Sequence, residues 1–96
     1  GLTEAAARAA GLAFRTNRHD TSGWFHTRRV GETTSGAKVL IEEGTERILG
    51  AHLLGPHAEE VINLFAMAIR LRIPAGQVKE VIYAYPTSGS DVRFLV

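Results

Sequence analysis

The sequence predicts an α+β domain, with an antiparallel sheet of about four strands covered on one face by helices. Three observations predict it. Two β-prone runs, Ala37–Glu42 and Arg47–Leu54, stand either side of the turn residues Glu43, Gly44 and Thr45, which reads as a hairpin. The strand-like segments come before the main helices instead of alternating with them, which favours hairpin connections over parallel crossovers. A long apolar-periodic stretch, His57–Arg72, then follows and can roof the sheet.

Each element has a local reason. "LTEAAARAAG" reads as a short helix, with Thr3 as N-cap, Glu4 in the positive first turn and Gly11 just past the end. Leu12–Arg18 sets Leu12, Phe14 and Thr16 against Ala13, Arg15 and Asn17, the alternation of a half-buried strand. "HDTSG", residues 19–23, reads as a loop. Trp24–Val30 reads as a further strand, with Trp24 and Phe25 on opposite faces. Gly44 sits in the hairpin turn, and Gly50 inside the second run marks a bulge or a close approach of backbone. Gly55 and Pro56 stop that strand and start the helix.

Both ends of the helix 57–72 suit its macrodipole, Glu59 and Glu60 at the start, Arg70 and Arg72 at the finish. Its middle carries two apolar stripes: Val61, Leu64, Phe65 and Ala68, then Ile62, Ala66, Ile69 and Ile73. A helix covering a sheet needs one such face. The second implies a partner, against the alternative of a helix sandwiched within its own domain. Pro74 breaks it, and "PAGQVKEVIYA" reads as another short helix with Val78, Val81 and Ile82 inward. Beyond Tyr85-Pro86, "SGSD" reads as the opening of a last helix, Ser88 its N-cap and Asp91 the acid of a capping box. The predicted order is α-β-β-β-β-α-α-α.

Composition narrows the function. Ninety-six residues with 45% apolar content form one domain with a core of its own, too apolar for disorder. Eleven Lys and Arg against ten Asp and Glu leave a net charge of +1, which argues against a protein that neutralises nucleic-acid phosphates. Without cysteine there is no disulfide framework, no thiolate metal site and no nucleophilic thiol, a composition that suits a cytoplasmic protein. The Ala-rich start has no signal-peptide pattern, and the longest apolar stretch, Val61–Ile69, is too short to span a bilayer.

Candidate chemistry is sparse. His52, His57, Glu59 and Glu60 invite a metal reading, but only His57 and Glu60 share a helix spacing, and zinc needs three or four convergent ligands. First-turn residues serving the helix end account for them better, so no metal site is expected. His19 and His26 read as surface or strand residues. Ser22, Ser35, Ser88 and Ser90 lie in turn or cap contexts and form no triad. No glycine-rich phosphate loop is present. "IYAYPTSGSD", Ile82–Asp91, is different: two phenols flank Ala84, and Pro86 fixes the chain just after Tyr85. It reads either as a packed turn with half-exposed rings or as a positioned tyrosine, and spacing alone favours the turn.

Three stretches settle on a family. "GLTEAAARAAG", "AKVLIEEGTERILGAHLLGPHAEEVINLFAMAIRL" and "IYAYPTSGSD" resemble the carboxy-terminal dimerisation domain of the pyridine nucleotide-disulfide oxidoreductases, the family of glutathione reductase, lipoamide dehydrogenase and mercuric reductase. The resemblance runs over essentially the whole chain, is most specific in the hairpin-Gly-Pro-helix block, and is weakest from Thr21 to Thr34.

The resemblance implies a homodimer through this domain, with FAD and NAD(P)H bound by the remainder of a larger flavoprotein and none expected on residues 1–96. It also implies a last segment reaching the partner subunit's active site. There the pattern His-Pro-Thr-x-Ser-Glu places a histidine beside a cysteine pair, oriented by the glutamate. Here Tyr85 stands at the histidine position, Gly89 replaces the serine, and Ser90 stands at the glutamate position. Asp91 is one residue late, about 100° round a helix. Tyrosine titrates near 10 and histidine near 6.5, so the phenol would be a neutral donor at pH 7, able to steady a thiolate or meet a soft metal but a poor proton shuttle. Mercuric reductases resemble the chain in having tyrosine there.

The expectation is therefore the dimerisation domain of an FAD-dependent oxidoreductase, inactive by itself, with Tyr85 and Pro86 beside the partner's flavin and no nucleic acid or membrane among its partners. The alternatives are a free-standing interaction module, or an oxidase or transhydrogenase of the same family without disulfide exchange.

Overall fold

A computed structural model describes residues 1–24, 27, 28, 30, 31 and 34–96 of the chain. Their order is α1 (Glu4–Ala9), β1 (Phe14–Asp20), β2 (Gly36–Glu42), β3 (Ile48–Leu54), α2 (Ala58–Arg70), α3 (Ala75–Glu80), a 3₁₀ turn at Gly89–Asp91 and α4 (Val92–Leu95). The strands form one antiparallel sheet in the order β1-β2-β3, Asn17 opposite Val39 and Val39 opposite Ala51. The α+β class holds, with three strands among the described residues where four are expected. Of the expected strand Trp24–Val30, Thr27 and Arg28 are helical, and the Arg28 N–H donates to the Trp24 carbonyl at 2.9 Å. The places of Phe25 and His26 lie outside the described residues.

The helix ends follow the sequence closely. Thr3 Oγ1 accepts from the Ala6 N–H at 3.1 Å. Gly11, at φ 72°, lets Leu12 N–H reach the Ala7 carbonyl while its own N–H reaches Arg8, the paired bonds of a left-handed stop. Leu12 is consumed by that stop, so β1 begins two residues later than alternation suggests. It runs on through His19 and Asp20, which pair with Ala37 and Gly36 instead of forming a loop. α2 ends the same way without a glycine. Arg72, expected in the last helical turn, adopts φ 57°, and the Ile73 N–H returns to the Ala68 carbonyl at 2.8 Å.

Alternation divides the sheet. Ala37, Val39 and Ile41 face the main core with Ile48, under α2, α3 and α4, where Phe65 (1% exposed) is the largest fully buried side chain. Lys38 and Leu40 face the other way. There Leu40 is wholly buried and Ala7 of α1 is too, while Glu4 pairs with Lys38 at 3.2 Å and Arg18 at 2.6 Å. α1 therefore covers part of the sheet's back, in addition to the helices on its front.

Gly50 serves in both of the ways expected of it. Register slips between Leu40 and Ile41, leaving Leu49 as the extra residue of a bulge. A Cβ on Gly50 would lie 2.1 Å from the Leu2 carbonyl oxygen, so only glycine admits the amino-terminal segment, whose Leu2 N–H bonds the Leu49 carbonyl at 2.8 Å. Among the described residues, no helix is long and apolar enough to cross a membrane.

Candidate functional site

The segment from Val81 to Ser90 is built from its two ends. α3 is docked by its first turn, the Ala75 N–H donating to the Glu46 carbonyl at 2.9 Å and Val78 turning inward. The helix does not continue to Ala84. Val81 is extended (φ −61°, ψ 136°), and from Val81 to Pro86 only Tyr83 is less than exposed. Val81 and Ile82 are thus outward, not inward as their apolar character suggests; Ile82 is 97% exposed. Tyr83 packs against the core, its hydroxyl donating to the Val78 carbonyl at 2.8 Å, and burial raises its phenol pKa. Tyr85 is 82% exposed, and the Tyr85–Pro86 peptide bond is cis.

The far end is fixed by two hydroxyls. Thr87 Oγ1 donates to the Ala84 carbonyl at 2.6 Å and accepts from the Ser90 N–H at 3.1 Å. Ser90 Oγ, in a residue only 3% exposed, donates to the Thr87 carbonyl at 2.6 Å and accepts from the Thr87 N–H at 3.3 Å. This is a reciprocal cap led by Thr87. Ser88 stands at the N-cap position, as expected, but its backbone is already helical and its side chain makes no capping bond. The signal for the capping bonds was Thr87 followed three residues later by a hydroxyl.

Beside this segment a groove opens between β1 and the carboxy-terminal turn, lined by His19, Trp24, Tyr85, Pro86, Asp91 and Phe94. Trp24 meets Phe94 edge-on with ring centroids 6.3 Å apart, and His19 lies 6.2 Å from Trp24 on the other side. Sequence reasoning missed this wall, because Trp24 was assigned to a strand. A second apolar surface runs along α2. Val61, Phe65 and Ala68 are buried; Ile62, Ile69 and Ile73 pack at the core's edge; Leu64, Met67 and Leu71 are exposed. The helix is two-faced, but the outward stripe is Leu64, Met67 and Leu71, not the Ile62–Ile73 series. Its upper end adjoins the site, since a Cβ on Gly89 would lie 3.5 Å from Leu64 Cδ1.

The residues considered for a metal are scattered. His52 Nε2 lies 3.3 Å from the Leu2 carbonyl oxygen on the sheet's back, whereas His57 stands at the start of α2 in a left-handed conformation, with Glu59 and Glu60 exposed in the first turn. Among the described residues no three of His, Asp and Glu converge on one point. Ser22 and Ser35 belong to the polar junction between β1 and β2, where Ser22 Oγ donates to Asp20 at 2.6 Å and Thr21 and Ser35 hydrogen-bond through their hydroxyls. The perturbed carboxylates are structural. Lys38 holds the Glu4 carboxyl below its usual range, helped by Arg18 and Arg8, and Arg15 does the same to Glu46.

Comparison with known proteins bears on this arrangement. A family profile described as pyridine nucleotide-disulphide oxidoreductase, dimerisation domain, matches residues 1–94. The chain is 38% identical over 96 residues to an uncharacterized 19.7 kDa protein in a mercuric resistance operon of Staphylococcus aureus, covering all of this chain and 53% of that one. It is 31% identical over 93 residues to mitochondrial dihydrolipoyl dehydrogenase of Rattus norvegicus, or 97% of this chain and 18% of the rat protein. Among solved structures, the HOCl-induced flavoprotein disulfide reductase RclA from Escherichia coli matches with a TM-score of 0.91 at 25% identity, over 99% of this chain and 22% of that one. The chain spans about half the length of the first relative and about a fifth of the other two.

Proposed function

The chain belongs to the pyridine nucleotide-disulphide oxidoreductases, as their dimerisation domain, and from that premise we propose that it is the interface portion of an FAD-dependent NAD(P)H oxidoreductase whose Tyr85 completes the active site of the partner subunit. One observation carries the reading. A tyrosine 82% exposed, on a segment pinned at both ends, is presented outward for something other than its own fold. The uncovered Leu64, Met67 and Leu71 beside it supply an apolar strip for a second copy of the chain.

In the parent, FAD held by the remaining residues would supply two-electron transfer from NAD(P)H. An outward phenol flanked by Pro86 fits a part that touches such a group from the neighbouring subunit. A phenol there donates a hydrogen bond to a thiolate or meets a soft metal ion. The similarity to a protein encoded in a mercuric resistance operon supports the metal side of that choice. Ser90 takes no direct part: its hydroxyl is spent on Thr87.

The test is Tyr85→Phe in the parent flavoprotein. Turnover with a thiol or metal substrate should fall about tenfold or more, with the mass of the dimer unchanged by light scattering. An unchanged rate removes Tyr85 from the mechanism. Tyr85→His should not bring efficient disulfide reduction, because Ser90 is buried and cannot orient an imidazole.

A further inference from the structure

The two tyrosines of "IYAYP" differ in every physical respect, and the inner one has no role yet. Tyr83 is half-buried against the core cluster while both of its neighbours are exposed. Its hydroxyl reaches the carbonyl of Val78, in the last turn of α3, where the carbonyls have no helical N–H left to accept from. α3 is itself joined to the hairpin through Ala75 and Glu46, and Arg47 forms a bridge with Pro74. A line of fixed contacts therefore runs from the hairpin turn through α3 to the Tyr83 ring. On the other side Thr87 Oγ1 holds the Ala84 carbonyl. Ala84, Tyr85 and Pro86 stand between Tyr83 and Thr87.

We propose that Tyr83 is a positioning residue for Tyr85: its hydroxyl bond to Val78 and its seat on the core fix the direction in which the outer phenol is presented. Its relevance to turnover rests on the reading of Tyr85 given above; its effect on the segment does not. Without the bond, Val81–Ala84 keeps only the seat of the Tyr83 ring on the core, free to slide along it, and the aim of Tyr85 is set mainly from the Thr87 side.

The decisive variant is Tyr83→Phe, which keeps the ring and removes only the hydroxyl. In the 96-residue chain, amide ¹⁵N order parameters for Ala84 and Tyr85 should fall from about 0.85 to below about 0.6, with those of α2 unchanged. A general loss of packing would lower both regions together. Order parameters at Ala84 and Tyr85 that stay at the wild-type level overturn the proposal, whatever happens to activity. Thr87→Val, which removes the opposite mooring, should loosen the same two amides, and Tyr83→Phe added to it should loosen them further. No further loosening in that pair also overturns the proposal. In the parent, Tyr83→Phe should lower kcat about tenfold with little change in KM. If the segment loosens while Tyr85→Phe leaves turnover intact, the catalytic reading of Tyr85 fails and the positioning of it by Tyr83 stands.

Discussion

The amino-terminal end of the chain and its Val81–Pro86 segment are held in opposite ways. At the first, Leu2 is bonded into the bulge of β3, Glu4 gathers Arg8, Arg18 and Lys38, and Ala7, like Leu40, is wholly buried. The charged side chains there pair within the chain. At the second, five of six residues are exposed, the apolar Ile82 among them, and two hydroxyls do the holding. The first region is finished by the fold. The second, with the outer stripe of α2, has the surface of something finished by another molecule, as expected of a dimerisation domain.

The comparison can be broken most forcefully within α2, where inner and outer faces lie side by side. Phe65→Ala should destabilise the chain by about 3–5 kcal/mol in urea unfolding, and Met67→Ala by less than about 0.5 kcal/mol. Comparable losses that do not vary with protein concentration would mean that Met67, 58% exposed here, is covered within its own subunit. The amino-terminal region is tested by Gly50→Ala. The new methyl group meets Leu2 backbone, so a loss of about 1–3 kcal/mol is expected, with increased amide exchange at Leu2.

The smallest expected effect is in pH dependence. The Glu4 carboxyl is held low in the folded state by Lys38, so as pH falls the unfolded chain takes up its proton first. Its stabilisation is present above the ordinary carboxylate range and is lost as pH drops through the lower, folded value. Glu46, held low by Arg15, and Asp20, held low by Ser22, act in the same sense. Glu4→Gln should therefore flatten the acid limb of a stability-pH curve and leave stability flat between pH 6 and 8 on the scale of ordinary carboxylate titration. A steeper acid limb in the variant would contradict the ion-pair cluster.

Local chemistry made much of this legible. Thr3, Gly11, Gly44 and Gly50 each declare a backbone event, and each event is found where its residue stands. Apolar residues were less faithful. Trp24 and Val30 suit a strand by propensity, yet the chain turns helical at Thr27, where the aromatic ring serves a wall against Phe94. Val81 and Ile82 read as inward because they are apolar, and both are exposed. A surface kept for another subunit is written with the same side chains as a core, so composition alone does not say which chain will cover it. That Thr87 and not Ser88 makes the capping bonds has a different cause: neighbouring hydroxyls compete for the same orphan N–H groups, and Thr87 also reaches Ala84.

The locked pair of Thr87 and Ser90 has a consequence for descent. A lineage moving from this tyrosine toward a histidine-carboxylate chemistry would have to alter Tyr85 and Ser90 together. An apolar residue at position 90 unmakes a buried cap, since the Ser90 hydroxyl serves both the carbonyl and the N–H of Thr87. A glutamate there can still accept from that N–H, as the third residue of a capping box does. Position 90 is thus open to a hydroxyl or a carboxylate and closed to an apolar side chain, a restriction set by the turn itself.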